Sequence, residues 1–145
     1  MFIMRKIDSM IVRLALTGIM AGIFFPAAVS AYTIDGSTVL YMLLSNGVTR
    51  LSTSCVIPSL NQWHHVVYTI DRAGGKAKLY MDGIYQTQMD ISGYNGVNIS
   101  NTRDLLIGAE SSSGSLAWPG KVDDVRIYKR VLSADEVARL FSATP

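Results

Sequence analysis

The chain has 145 residues, 49 % apolar and 17 % charged, with a formal net charge of +2. That length suits one domain. No basic stripe with interleaved aromatics runs through it, which excludes the electrostatic footprint of a nucleic-acid binder, and the single cysteine, Cys55, excludes an internal disulfide.

The opening is basic, then apolar. Arg5, Lys6 and Arg13 stand against Asp8, residues 14–25 are an uncharged and mostly apolar run, and Pro26 breaks any helix there. Val29, Ser30 and Ala31 then supply small residues for cleavage, the order of a secretory signal peptide. Residues 1–31 are therefore expected to be an export leader, and residues 32–145 a domain that is secreted or held in the cell envelope. The alternative is an uncleaved anchor, because residues 14–31 are about the minimum length to span a bilayer. A membrane is a partner only in that case. The leader's three basic residues and one acidic residue carry the whole +2, so the remainder is formally neutral.

Residues 38–44 read as a strand with little polarity on either face, as for a strand covered on both sides. Asn46-Gly47 is a hairpin signal, residues 48–53 form a more polar strand, and residues 57–62 a loop. Residues 63–85 then carry three strands and two tight turns. The first, 63–70, is rich in aromatic and β-branched residues, and Gly74-Gly75 follows it. The second, 76–81, alternates Ala77, Leu79 and Met81 against Lys76, Lys78 and Tyr80. Asp82-Gly83 is a strong signal for a two-residue turn in which both residues take positive φ. Residues 84–91 are polar enough, with Gln86 and Gln88, for a sheet edge.

A Gly/Asn/Ser-rich loop at 92–103, a short apolar strand at 104–109 and a Ser/Gly loop at 110–115 lead to a last strand at 121–129. Ser133 and Glu136 form a capping box ahead of Val137, Leu140 and Phe141, which share a helical face. Short strands punctuated by glycine turns predict an all-β, antiparallel β-sandwich with a short C-terminal helix.

Trp63-His64-His65-Val66, followed by a strand ending Leu79-Tyr80-Met81-Asp82-Gly83, resembles the laminin-G-like branch of the concanavalin A-like lectin/glucanase domains. A second match at 120–137, beginning Gly120-Lys121-Val122-Asp123-Asp124 and ending Asp135-Glu136-Val137, is similar to that family's final strand and following helical turn. The resemblance covers roughly 41–141 and implies a jelly roll. Such domains begin with further strands ahead of the region matching 38–44. Behind a removed leader the domain would be incomplete at its N-terminus, with an open edge or core face that favours association, as a homo-oligomer or with a partner.

The function this implies is a non-catalytic binding or adhesion module for carbohydrate or an extracellular protein. A structural subunit that docks with a partner is the second reading, and a degenerate polysaccharide hydrolase the third. Glycoside hydrolysis needs two carboxylates flanking the scissile bond. The glucanase relatives place theirs in a Glu-x-Asp-x-x-Glu pattern. Here Glu110 stands alone in a serine-rich loop, Glu136 is explained by the helix cap, and the adjacent Asp123 and Asp124 point to opposite faces of a strand. No catalytic residue is nominated.

For a sugar surface the candidates are Trp118, Tyr94, Tyr85 and Asn95, since an aromatic ring stacks on a sugar while its polar edge hydrogen-bonds. Trp63 is expected in the core. Several laminin-G-like relatives hold Ca2+ at the domain rim, and the match at 122–125 makes Asp123 the first candidate ligand and Asp124 the second. Asp123 is expected on the face of Val125 and Ile127, where a lone carboxylate would need a cation or hydrogen bonds. His64 and His65 alternate faces, so one is expected beneath a loop and the other on the sheet surface.

Overall fold

A computed structural model describes residues 9–16, 21–23, 27–34, 37–45, 50–59, 61–97 and 120–143. In chain order these form β1 (Ser9–Leu16), β2 (Ala21–Ile23), β3 (Ala27–Ile34), β4 (Ser37–Ser45), β5 (Arg50–Val56), β6 (Trp63–Asp71), β7 (Lys76–Met81), β8 (Ile84–Asp90), β9 (Gly120–Tyr128) and α1 (Ala134–Ser142). One sheet runs β8-β7-β6-β1-β9 and the other β2-β3-β4-β5, with antiparallel neighbours throughout.

The segment read as a leader carries strands in this structure. A cut after Ala31 would take β1, β2 and most of β3 with it. Among the described residues no helix is long and apolar enough to cross a membrane. The apolar strand expected at 104–109 lies outside the described residues.

β6 fixes how the layers stack. Every residue from His64 to Ile70 is buried. Since successive side chains leave a strand on opposite faces, such a strand must be covered twice. Val66, Tyr68 and Ile70 pack inward with Ala77, Leu79 and Met81 of β7 and with Leu40 and Leu44 of β4. Val67 faces the other way and joins Tyr80, Leu132 and Val137, with Leu140 and Tyr128 against them. The helix thus lies on the outside of the five-stranded sheet, as the apolar face read from Val137 and Leu140 anticipates. β5 approaches β8 at the sandwich side, where Thr53 Oγ1 and Thr87 Oγ1 lie 3.1 Å apart.

The turns follow the sequence chemistry. Asp82 and Gly83 have φ of 51° and 77°, the double positive φ that the Asp-Gly pair predicts. At the other end of β7, the Asp71 carboxylate accepts from the Gly74 amide at 2.8 Å. Arg72 donates to the Tyr94 carbonyl at 2.7 Å and also to the Val97 carbonyl, tying down the turn after β8.

The capping box is formed: the Glu136 amide donates to Ser133 Oγ at 3.3 Å and the Ser133 amide to Glu136 Oε2 at 2.8 Å. Arg130 also donates to Glu136, and together with the Ser133 amide it draws the Glu136 carboxyl down to about 2.

Two substitutions test this packing by chemical denaturation. Leu79→Ala, which empties a fully buried site, is expected to lower the unfolding free energy by about 2–5 kcal/mol. Ser133→Ala, which removes the cap acceptor, is expected to cost about 1 kcal/mol.

Candidate functional site

The β7–β8 turn gathers the chemistry of this chain at one end of the five-stranded sheet. His64 points toward Ser59, in the segment between β5 and β6. Its Nδ1 lies 2.8 Å from Asp82 Oδ2, and its Nε2 lies 2.9 Å from the Ser59 carbonyl and 3.2 Å from Ser59 Oγ. The second Asp82 oxygen accepts from the His65 amide at 2.9 Å. One buried ring therefore pins the loop to the turn, and one carboxylate pins the turn to β6.

Ser59, His64 and Asp82 stand in the order of a nucleophile, base and orienting acid. His64 Nε2 lies nearer the Ser59 carbonyl than the Ser59 hydroxyl, so the ring fastens the Ser59 backbone as well as facing its side chain.

His65 occupies the opposite face, as the alternation requires. It is buried against the Phe141 ring, with centroids 5.8 Å apart, and its Nδ1 has no hydrogen-bond partner. Burial pushes its pKa below the ordinary value, against the pull of Asp82 and Asp124 and with the push of Arg126. Phe141 also lies over Gly83, where an added Cβ would come within 3.1 Å of the ring.

Next to it Tyr85 leaves the sheet. Its ring meets buried Tyr80 edge-on, with centroids 5.9 Å apart and planes at 74°, while the residue stays 49 % exposed. Ile84 and Phe141 are exposed beside the same turn.

The expected site residues do not form one site. Tyr85 is at the surface as expected. Tyr94 is not: the 3-10 turn Ser92–Tyr94 folds it into the core between the sheets, 3 % exposed. Asn95 is exposed, but it follows β8 whereas Tyr85 is its second residue, which separates them by about 17 Å of strand. Trp118 lies outside the described residues, as does Glu110. Trp63, expected in the core, is 40 % exposed at the first position of β6, where the loop leaves it uncovered.

Asp123 and Asp124 are displaced by a bulge. Asp124 has φ of 50°, and the pairing of β1 with β9 shifts register there. The extra residue puts Val122 and Val125 together against the core and turns exposed Asp123 away from it, correcting the face expected for Asp123. Asp123 Oδ1 accepts from the Asp124 amide at 2.8 Å, and Asp124 takes both Arg126 donors at 2.8 and 2.9 Å. Calcium calls for six to eight oxygens, whereas here one carboxylate is committed to a guanidinium. Among the described residues no group of three His, Cys, Asp or Glu side chains is placed to hold a metal.

Asp82 and Phe141 escaped the sequence reading as site residues. Asp82 was legible only as a turn former, although its carboxylate is what distinguishes it from the asparagine that serves such turns equally well. Phe141 was legible as a core-facing helix residue, and its half-exposed perch over Gly83 depends on where α1 docks.

Asp82→Ala is expected to destabilise the fold by about 1.5–3 kcal/mol, the range for hydrogen bonds to a charged group. In a double-mutant cycle with His64→Ala the two losses should not add. For His65 the depressed native pKa means that the unfolded chain binds the proton first. Stability should therefore fall as pH drops below about 6.5, and His65→Phe should flatten that part of the melting-temperature profile.

A family model described as the concanavalin A-like lectin/glucanases superfamily, of the laminin-G type, matches residues 25–138. No curated protein matches the chain by sequence. Among solved structures, the native heptameric SAP-like pentraxin of Limulus polyphemus superposes with a TM-score of 0.72 at 22 % identity, covering 96 % of this chain and 73 % of that one. The CBM40 of the Ruminococcus gnavus IT-sialidase, bound to α2,3-sialyllactose, gives 0.70 at 16 % identity, over 94 % of this chain and 84 % of that one. A putative carbohydrate-binding protein of Bacteroides ovatus gives 0.63 at 13 % identity, over 92 % and 40 %. At these identities the likeness shows the fold alone. With the family match spanning most of its length, the chain belongs to the concanavalin A-like lectin/glucanase superfamily.

Proposed function

We propose that the chain is a non-catalytic module that binds carbohydrate at the ridge carried by Tyr85. The observation that carries this reading is a half-exposed aromatic ring braced edge-on by buried Tyr80. Such a ring loses little freedom on binding and offers an apolar face with a hydroxyl at its rim. Exposed Gln86, the next residue of β8, supplies a polar side chain beside it. Similar structures, a CBM40 bound to sialyllactose among them, lend this ligand class further support. Extracellular glycans fit that reading.

Docking with a protein partner is the second reading. It rests on Ile84, 66 % exposed, and Phe141, 41 % exposed, beside the same turn. An apolar pair of this kind suits the core of a protein interface better than a sugar.

A glycan array followed by titration of the best hit separates the two. Tyr85→Ala is expected to weaken sugar binding about two- to tenfold, the equivalent of one aromatic contact, with a stability cost of about 0.5–1.5 kcal/mol from the lost edge-on contact to Tyr80. Undiminished binding by that variant would remove Tyr85 from the site. Silence across the array, with capture of a protein that Ile84→Ser abolishes, would favour docking.

A further inference from the structure

We propose that β6 and β9 form the walls of a strand-acceptor slot, and that its occupant is the chain's own segment Ser9–Leu16. β1 pairs in register with β6 from Ser9 opposite Thr69 to Ala15 opposite Trp63. On its other side it pairs with β9 from Ser9 opposite Tyr128 to Leu16 opposite Gly120. The slot is one strand wide, about 10 Å between its walls, and its occupant runs antiparallel to both.

Two features make the occupant indispensable. Among the described residues β9 has no sheet neighbour except β1. Without β1 the last strand, and α1 behind it, lose their hydrogen-bonded connection to the sheet. β6, in turn, is buried on both faces. Stripped of β1 it would present a long apolar edge with unpaired amides and carbonyls, a template for any passing strand. The sequence of the occupant, Ser-Met-Ile-Val-Arg-Leu-Ala-Leu, is apolar almost throughout, as suits a strand placed deep in a sheet. Its one charge, Arg13, falls in register between His65 and Asp123.

Residues 9–16 overlap the stretch that also reads as an export leader. Folding into the slot and removal as a leader are therefore alternative fates of the same residues, and the folded domain keeps them. A form that had lost them would expose the slot and would need the strand returned in trans.

The test uses the full chain with a protease site inserted between residues 16 and 21 and cut only after folding. The fragment carrying Ser9–Leu16 is expected to co-elute with the remainder in native buffer, and the remainder to keep its sheet spectrum only while the fragment is bound. A labelled peptide of the Ser9–Leu16 sequence should exchange into the cut protein, and a scrambled peptide of the same composition should not. A remainder that keeps its spectrum and melting temperature after the fragment has been separated would overturn the proposal. Equal uptake of the two peptides would do the same.

Discussion

The two-sided burial of β6 is the constraint on which the rest of this molecule depends. A strand with seven consecutive buried residues cannot sit on the surface of a sandwich or at the edge of a sheet. It needs a second sheet beneath it, an apolar cover above it and a hydrogen-bonded neighbour on each side. The four-stranded sheet supplies the first through Leu40 and Leu44, and α1 supplies the second through Val137. β7 and β1 supply the neighbours. The turn at Asp82-Gly83 inherits its rigidity from this arrangement, because His64 and the His65 amide both leave β6 to hold the Asp82 carboxylate. Tyr85, three residues beyond Asp82, is thereby presented on a fixed base.

Much of this was legible in the sequence where local chemistry and tertiary need agree. The Asp-Gly pair calls for positive φ whatever surrounds it, the capping box is satisfied within four residues, and the alternation along β7 survives because its inner residues find a core. The twin histidines separated as a strand's period of two requires, one under a loop and one against Phe141. These are short-range rules, and nothing distant in the chain competes with them.

Legibility failed where one residue changes what the rest of a strand means. The bulge at Asp124 inverts the facing of Asp123 relative to Val125, and Asp124, followed by valine and not by the glycine of a tight turn, carries no signal of its positive φ like that of Asp82. The failure at Tyr94 is of another kind. An aromatic in a Gly/Asn-rich stretch reads as exposed until the 3-10 turn and the Arg72 clamp are known to fold it inward. The opening of the chain is the deepest ambiguity, since an uncharged apolar run serves a leader and a buried strand equally well. Periodicity cannot separate the two.

Native-state hydrogen exchange across β6 tests the central claim most directly. In an antiparallel strand alternate amides point to opposite neighbours, so the amides of residues 66–69, which are paired with both strands, report on β7 and β1 in turn. With β6 enclosed on both sides, all of them should exchange only through global unfolding, more slowly than those at the exposed edge of β8. Protection at every second residue only, with the intervening amides exchanging as fast as that edge, would show β6 to be open on one side and would contradict the account.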